Sequence, residues 1–159
     1  MLVLEGHEVL GLFYNPNIYP ADEYELRLNA ARTIAQQMRF PLDDIPYDPS
    51  EWLNKTNSLQ HEPEGGKRCA ECFRIRLKKT YLYMIDHDCD VFATTLTVSP
   101  HKSPEVVNNI GWEIGDNRFM ARDFKKKDGF KKAIQLAKNY DIYRQNYCGC
   151  VYSMRQKGG

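Results

Sequence analysis

Short apolar segments alternate along the chain with longer segments in which apolar residues recur every three or four positions. The short segments are typical of buried strands, and the longer ones of helices with one apolar face. We predict strands at residues 7–14, 42–47, 90–96 and 118–123. We predict helices at residues 22–38, 48–53, 69–86, 105–114 and 128–140. Because parallel strands need crossover connections, this alternation indicates an α/β fold, with a parallel sheet and flanking helices, in one domain over residues 1–159.

The first residues have the pattern of a helix end. Gly6 has no Cβ and suits the left-handed conformation that follows a helix, and a strand-like segment begins directly after it. The interpretation is that the first strand of the domain and most of a helix precede this sequence, so that the domain is incomplete at its N-terminus. The alternative is a flexible tail before the first strand.

Composition narrows the class of protein. Hydrophobic residues make up 42% and charged residues 27%, which is ordinary for a soluble domain. No apolar run approaches the ~18 residues that span a bilayer, and no signal peptide is visible, so we expect a cytoplasmic protein without membrane contact. With a net charge of only +1, the protein as a whole does not attract nucleic acid electrostatically. Binding to nucleic acid would therefore need local patches of basic residues.

Four of the five cysteines form two close pairs far apart in sequence, a pattern that favours metal or redox chemistry. Cys69 and Cys72 are three residues apart at the start of a predicted helix, so both sulfurs lie on one face. The helix N-terminus, together with Lys67 and Arg68, is expected to lower both thiol pKa values. The alternatives are a structural zinc pair and two idle thiols.

Cys148 and Cys150 form the second pair, with Gly149 between them. A Cys-x-Cys disulfide is strained and easily reduced, which suits a redox-active pair. The same sulfurs could instead complete a four-cysteine zinc or iron–sulfur site with the first pair. The spacing alone leaves both interpretations open.

Candidates for substrate binding lie in loops and near the cysteines. An unpaired RNA loop is bound through contacts to its phosphates and by aromatic rings that stack on its bases, and basic and aromatic residues near the cysteines could supply both. For the basic residues and His101 the alternative is an ordinary solvated surface. The candidates for substrate binding are Asn15, Asn17, Lys67, Arg68, His101, Lys102, Arg144 and Tyr147.

Four motifs occur in a fixed order along nearly the whole chain. They are Phe13-Tyr14-Asn15-Pro16-Asn17-Ile18, Glu64 to Leu77 with both of its cysteines, Thr94 to Lys102, and Tyr143 to Cys150. This series closely resembles the epoxyqueuosine reductases of the QueH type. An ordered set of four motifs is far more specific than either cysteine pair alone.

The resemblance implies a nucleotide α-hydrolase-like fold and an iron–sulfur enzyme that reduces epoxyqueuosine to queuosine at the tRNA wobble position. It implies that Cys69 and Cys72 ligate a 4Fe–4S cluster and that Cys148 and Cys150 are a separate redox-active pair. A second iron, the tRNA anticodon loop and an unidentified electron donor are further expectations. The family's adjacent cysteines, which supply the remaining cluster ligands, are absent here, in agreement with the interpretation of Gly6.

Two other functions compete with this one. A non-catalytic zinc module would use all four paired cysteines as ligands. An adenine-nucleotide-dependent tRNA-modifying enzyme of the same fold class would need a glycine-rich phosphate loop, and none is visible in the sequence.

Overall fold

The computed structural model describes residues 2–157 as an α/β arrangement with six helices and one small sheet in that range. Its strands are β1 (Gly11–Phe13) and β2 (Leu42–Asp44). Its helices are α1 (Ala21–Met38), α2 (Ser50–Thr56), α3 (Lys67–Asp86), α4 (Pro104–Gly115), α5 (Gly129–Asn139) and α6 (Val151–Lys157). Five helices match the predicted ones, and α6 was not predicted. No helix in the described range is long and apolar enough to cross a bilayer.

The sheet is parallel, as predicted, but much smaller than expected. β1 pairs with β2 in a register that places Gly11 opposite Leu42 and Phe13 opposite Asp44. Each strand has only three residues, because two of the three residues of β2 are aspartates and Pro41 and Pro46 lie on either side of it.

The predicted strands at 90–96 and 118–123 are wrong in extent. They meet only at an isolated parallel bridge between Phe92 and Phe119. The side chain of Thr94 accepts a hydrogen bond from the Leu96 backbone N–H, and a 3₁₀ turn follows at Leu96–Val98. A threonine hydroxyl that binds the local backbone competes with strand pairing, so the apolar pattern alone overestimates this strand.

The start of the chain agrees with the interpretation of Gly6 as a cap. A 3₁₀ turn at Val3–Glu5 ends at Gly6, which has a φ of 86° and donates its N–H to the carbonyl of Val3. The left-handed conformation explains the glycine at this position.

Two apolar clusters fix the positions of the loops between these elements. Phe13, Ile18, Tyr24 and Leu28 join β1 to α1 and so fix the loop between them. A larger cluster joins α3 and α4 to the bridged segments. Its buried members are Phe73, Leu77, Met84, Phe92, Leu96, Val107, Ile110 and Phe119.

Gly111 is the point where α4 approaches the bridged segments most closely. A Cβ at this position would lie 2.3 Å from the ring of Phe119, which is itself buried. We expect Gly111→Ala to destabilise the fold by about 2 kcal/mol, because overpacking outweighs the gain in helix propensity of roughly 1 kcal/mol. The free energy of unfolding in urea measures this. Asn109→Ala, at an exposed position of the same helix, is the control, and an equal effect of both changes would contradict the packing explanation.

Candidate active site

The fold brings the two cysteine pairs next to each other, as the sequence predicts. Cys69 and Cys72 lie in the first two turns of α3, and Cys148 and Cys150 directly precede α6. Cys72 and Cys150 are buried in one apolar cluster. Cys148 is close enough to both Cys69 and Cys72 to raise the thiol pKa of each. All five cysteines are free thiols.

A glycine turn places the first pair. Gly65 has a φ of 87° and donates its N–H to the Sγ of Cys69 at 3.2 Å, and Gly66 is the N-cap of α3. The prediction that the helix terminus and nearby cations lower these thiol pKa values is wrong. Burial raises the pKa of both Cys69 and Cys72, because removing a thiolate from water costs more than these favourable contacts recover.

The second pair shares one hydrogen-bonding interaction. The Cys148 thiol donates toward the Cys150 sulfur, which raises the pKa of Cys148 and lowers that of Cys150. Ser153, whose Oγ is 3.5 Å from the Cys150 Sγ, also favours the Cys150 thiolate. Because thiolates are the nucleophilic form of cysteine, the arrangement favours Cys150 as the reactive sulfur of this pair.

Several contacts to the cysteines come from residues that the sequence did not indicate. Trp52 is buried against Cys72, and its indole N–H lies close enough to lower the pKa of that thiol. Arg76 lowers the pKa of both Cys72 and Cys148. Ser153 and Arg27 touch the Cys148–Cys150 segment from α6 and α1. Apolar periodicity identifies Trp52 only as a core residue, and nothing in the sequence places α1 beside residue 148.

The predicted substrate-binding residues fall into two groups. Asn15 accepts a hydrogen bond from Arg76, Lys102 acts on Cys148 electrostatically, and Tyr147 precedes Cys148, so these three lie around the thiols. Asn17 follows Asn15 by two residues in the same loop, and its side chain is buried. Its Oδ1 has no hydrogen-bond partner among the described residues. The other group is exposed on the surface and comprises Lys67, His101 and Arg144.

Arg68 differs from the other basic candidates, because its side chain is only 2% exposed. Its guanidinium donates to the carbonyls of Leu59, Gln60 and Glu62 and lies 4.7 Å from the ring centre of Tyr152. The group is therefore committed to the loop before α3 and is not free for a phosphate. The structure supports a role in holding this loop, and the substrate contact stays a prediction.

We expect Arg68→Met to destabilise the fold by about 3 kcal/mol, since it leaves three carbonyls without their buried donor. Arg74→Met is the matched control on the same helix, because Arg74 makes exposed ion pairs with Glu71 and Glu113, and it should cost about 0.5 kcal/mol. The free energies of unfolding of both variants, measured in urea, show the difference between the two arginines. Equal losses would show that Arg68 does not brace the loop.

The described side chains offer only part of a metal site. Within residues 2–157 no group of three or more His, Cys, Asp or Glu side chains is arranged to hold a metal ion. Cys69 and Cys72 share one helix face, and the backbone N–H of Gly65 reaches one of the sulfurs. They fit two corners of a four-thiolate site, and the described residues do not form the complete site.

The fold and the site together define an α/β protein with two adjacent pairs of free thiols. The comparisons with known proteins are more specific. The family model described as "QueH: Epoxyqueuosine reductase QueH" matches residues 1–156, and the chain belongs to this family.

Curated relatives agree with this assignment. The chain is 36% identical over 155 residues to epoxyqueuosine reductase QueH of Streptococcus pyogenes, covering 92% of this chain and 61% of that protein. It is 32% identical to the Acinetobacter baylyi protein of the same name, covering 97% of this chain and 72% of the relative. It is 34% identical to the protein of the same name from Thermotoga maritima, covering 91% of this chain and 79% of the relative. The chain thus spans about three fifths of the Streptococcus protein's length.

Proposed function

We propose that this protein is an epoxyqueuosine reductase, which converts epoxyqueuosine to queuosine at the wobble position of tRNA. The observation that carries the proposal is the adjacency of Cys69–Cys72 and Cys148–Cys150 in a chain of the QueH family. The parallel β1–β2 pair and the parallel bridge at Phe92 support a nucleotide α-hydrolase-like fold.

The proposed reaction replaces the epoxide by a carbon–carbon double bond and releases the epoxide oxygen as water. It consumes two electrons and two protons. Oxidation of the Cys148 and Cys150 thiols to a disulfide releases the same two electrons and two protons, so one turnover balances. An electron donor, still to be identified, then reduces the disulfide for the next turnover.

Cys69 and Cys72 are the proposed ligands of a 4Fe–4S cluster. Such a cluster takes four thiolates, and we propose that the remaining ligands come from outside the described side chains. A bound cluster would supply one-electron transfer beside the thiol pair. Trp52, packed on Cys72, excludes water from this side of the site. A second iron is part of the same proposal.

The proposed substrate surface lies where polar and aromatic groups border the thiols. Lys102 and Arg144 would contact phosphates of the anticodon loop, and Tyr147 offers a ring on which a base can stack. Asn15 and Asn17, in the loop after β1, would bind polar groups of the modified base. Lys67 and His101 would add contacts at the rim. A tRNA substrate implies a cytoplasmic location.

Anaerobic purification and reconstitution of the gene product at its natural length tests the proposal. We expect iron and acid-labile sulfide, and queuosine formation from epoxyqueuosine-containing tRNA with a chemical reductant. Nucleoside analysis by mass spectrometry measures the product. Bound zinc without iron or sulfide, together with unchanged epoxyqueuosine, would favour the non-catalytic zinc module instead.

A further inference from the structure

Arg27 of α1 reaches the segment that carries the second cysteine pair, about 120 residues away in sequence. Its Nη1 donates to the carbonyl of Cys148 at 3.0 Å, and its Nη2 donates to the carbonyl of Tyr147 at 3.1 Å. The side chain is only 10% exposed. A planar guanidinium can hold two successive carbonyls in a fixed geometry, which a single ammonium cannot.

Glu23 holds Arg27 in this position. Its carboxylate accepts a hydrogen bond from the Arg27 Nε at 2.7 Å and another from the Tyr143 hydroxyl at 2.6 Å. The Glu23 side chain is 9% exposed, so this ion pair is largely removed from water. Paired in this way, the guanidinium has its Nε bound to Glu23 and its two terminal nitrogens directed at the loop.

The contacts continue at the next residue. The carbonyl of Gly149 accepts the backbone N–H of Tyr19 at 2.8 Å. Three successive carbonyls, those of Tyr147, Cys148 and Gly149, are therefore each held by a donor from α1 or the loop before it. Gly149 also lies against the guanidinium, because a Cβ at this position would be 2.7 Å from Arg27 Nη1.

We propose that Arg27 is a positioning residue that fixes the Cys148–Gly149–Cys150 backbone so that the two sulfurs face each other. The inference rests on the proposed redox role of this pair. Arg27 touches neither sulfur and acts through the peptide groups that carry them. Holding two reacting groups in place raises their effective concentration toward each other, so Arg27 sets how readily the pair forms its disulfide.

The disulfide equilibrium with glutathione measures this effect directly. Glutathione disulfide takes two electrons from the Cys148 and Cys150 thiols, which form one S–S bond. Its own S–S bond breaks, and the two thiol protons end on the two molecules of reduced glutathione that are formed. Alkylation of the remaining thiols followed by mass spectrometry separates the intramolecular disulfide from mixed disulfides with glutathione. The ratio of oxidised to reduced protein at a known ratio of glutathione to glutathione disulfide gives the effective concentration of the two thiols toward each other.

We expect Arg27→Met to lower that effective concentration by about tenfold, since it removes two charge-assisted hydrogen bonds from the loop. Arg27→Lys keeps the charge beside Glu23 but cannot bridge two carbonyls, and an intermediate value is expected. Arg32→Met is the matched control. Arg32 lies on the same helix, is 49% exposed and pairs with Asp44 at 2.9 Å, so its loss should change the equilibrium less than twofold.

A purely structural role of Arg27 predicts a lower urea midpoint with an unchanged disulfide equilibrium, and that result would overturn the inference. Should Arg27→Met fail to fold, Arg27→Lys decides, and a folded lysine variant with the wild-type equilibrium would also overturn it. Failure of the proposed redox role looks different. In that case the wild-type protein itself forms no Cys148–Cys150 disulfide at any glutathione ratio.

Discussion

Cys148→Ser is expected to keep the iron of the reconstituted protein and to lose epoxyqueuosine reduction by a hundredfold or more, on the order seen when a reacting group is removed. Serine preserves the size of the side chain but cannot form a disulfide, so the two electrons and protons of one turnover are no longer available. Iron content and queuosine formation are measured on the same sample.

The control for this variant is Cys89→Ser. Cys89 follows the C-terminus of α3, packs partly against the α3–α4 cluster and lies outside both pairs. The Cys89→Ser variant should retain both its iron and its epoxyqueuosine reduction. If Cys148→Ser loses its iron instead, the four paired cysteines act as ligands together, and the division into a metal pair and a redox pair is wrong.

Cys69→Ser is expected to abolish cluster binding, with loss of nearly all iron and acid-labile sulfide. The hydroxyl of serine is a much poorer ligand for iron than a thiolate, and no third or fourth ligand group among the described residues stands ready to replace it. Visible absorbance and chemical analysis after anaerobic reconstitution measure the loss. Full iron content in Cys69→Ser would remove Cys69 from the proposed ligand set, and Cys89→Ser again serves as the control.

Much of the fold could be predicted from local patterns. The periodicity of α1, α3 and α4 gives their positions to within a few residues, because each buries apolar side chains on one face. The periodicity of α5 also gives its position, although no described residue of α5 is buried. α4 also carries a readable start signal, since Ser103 accepts the Val106 N–H and Pro104 occupies the first turn.

The sheet was predicted less well for a physical reason. An apolar segment of four to seven residues describes burial, and burial alone does not guarantee a paired neighbour. Residues 90–96 are buried at Phe92 and Leu96, yet local hydrogen bonding at Thr94 ends the ladder after one bridge. α6 escaped prediction because its seven residues are too few to show a period.

At the site, spacing identified the two cysteine pairs but not the residues around them. Cys-x-x-Cys and Cys-x-Cys are visible in the sequence, and their adjacency follows in the structure. The residues that hold them, Arg27, Glu23 and Trp52, come from α1 and α2 and are linked to the cysteines only by the tertiary fold. The expected lowering of the Cys69 and Cys72 pKa values failed for the same reason, since burial cannot be judged from a helix start alone.

The most direct test of the proposed function is the nucleoside composition of tRNA in a bacterial strain that lacks epoxyqueuosine reductase and accumulates epoxyqueuosine. The gene product at its natural length is expressed in that strain beside its Cys148→Ser variant, and the tRNA is digested and analysed by mass spectrometry. We predict that queuosine replaces epoxyqueuosine with the wild-type protein and not with the variant. Epoxyqueuosine that persists unchanged in the presence of folded, iron-loaded wild-type protein would contradict the assignment.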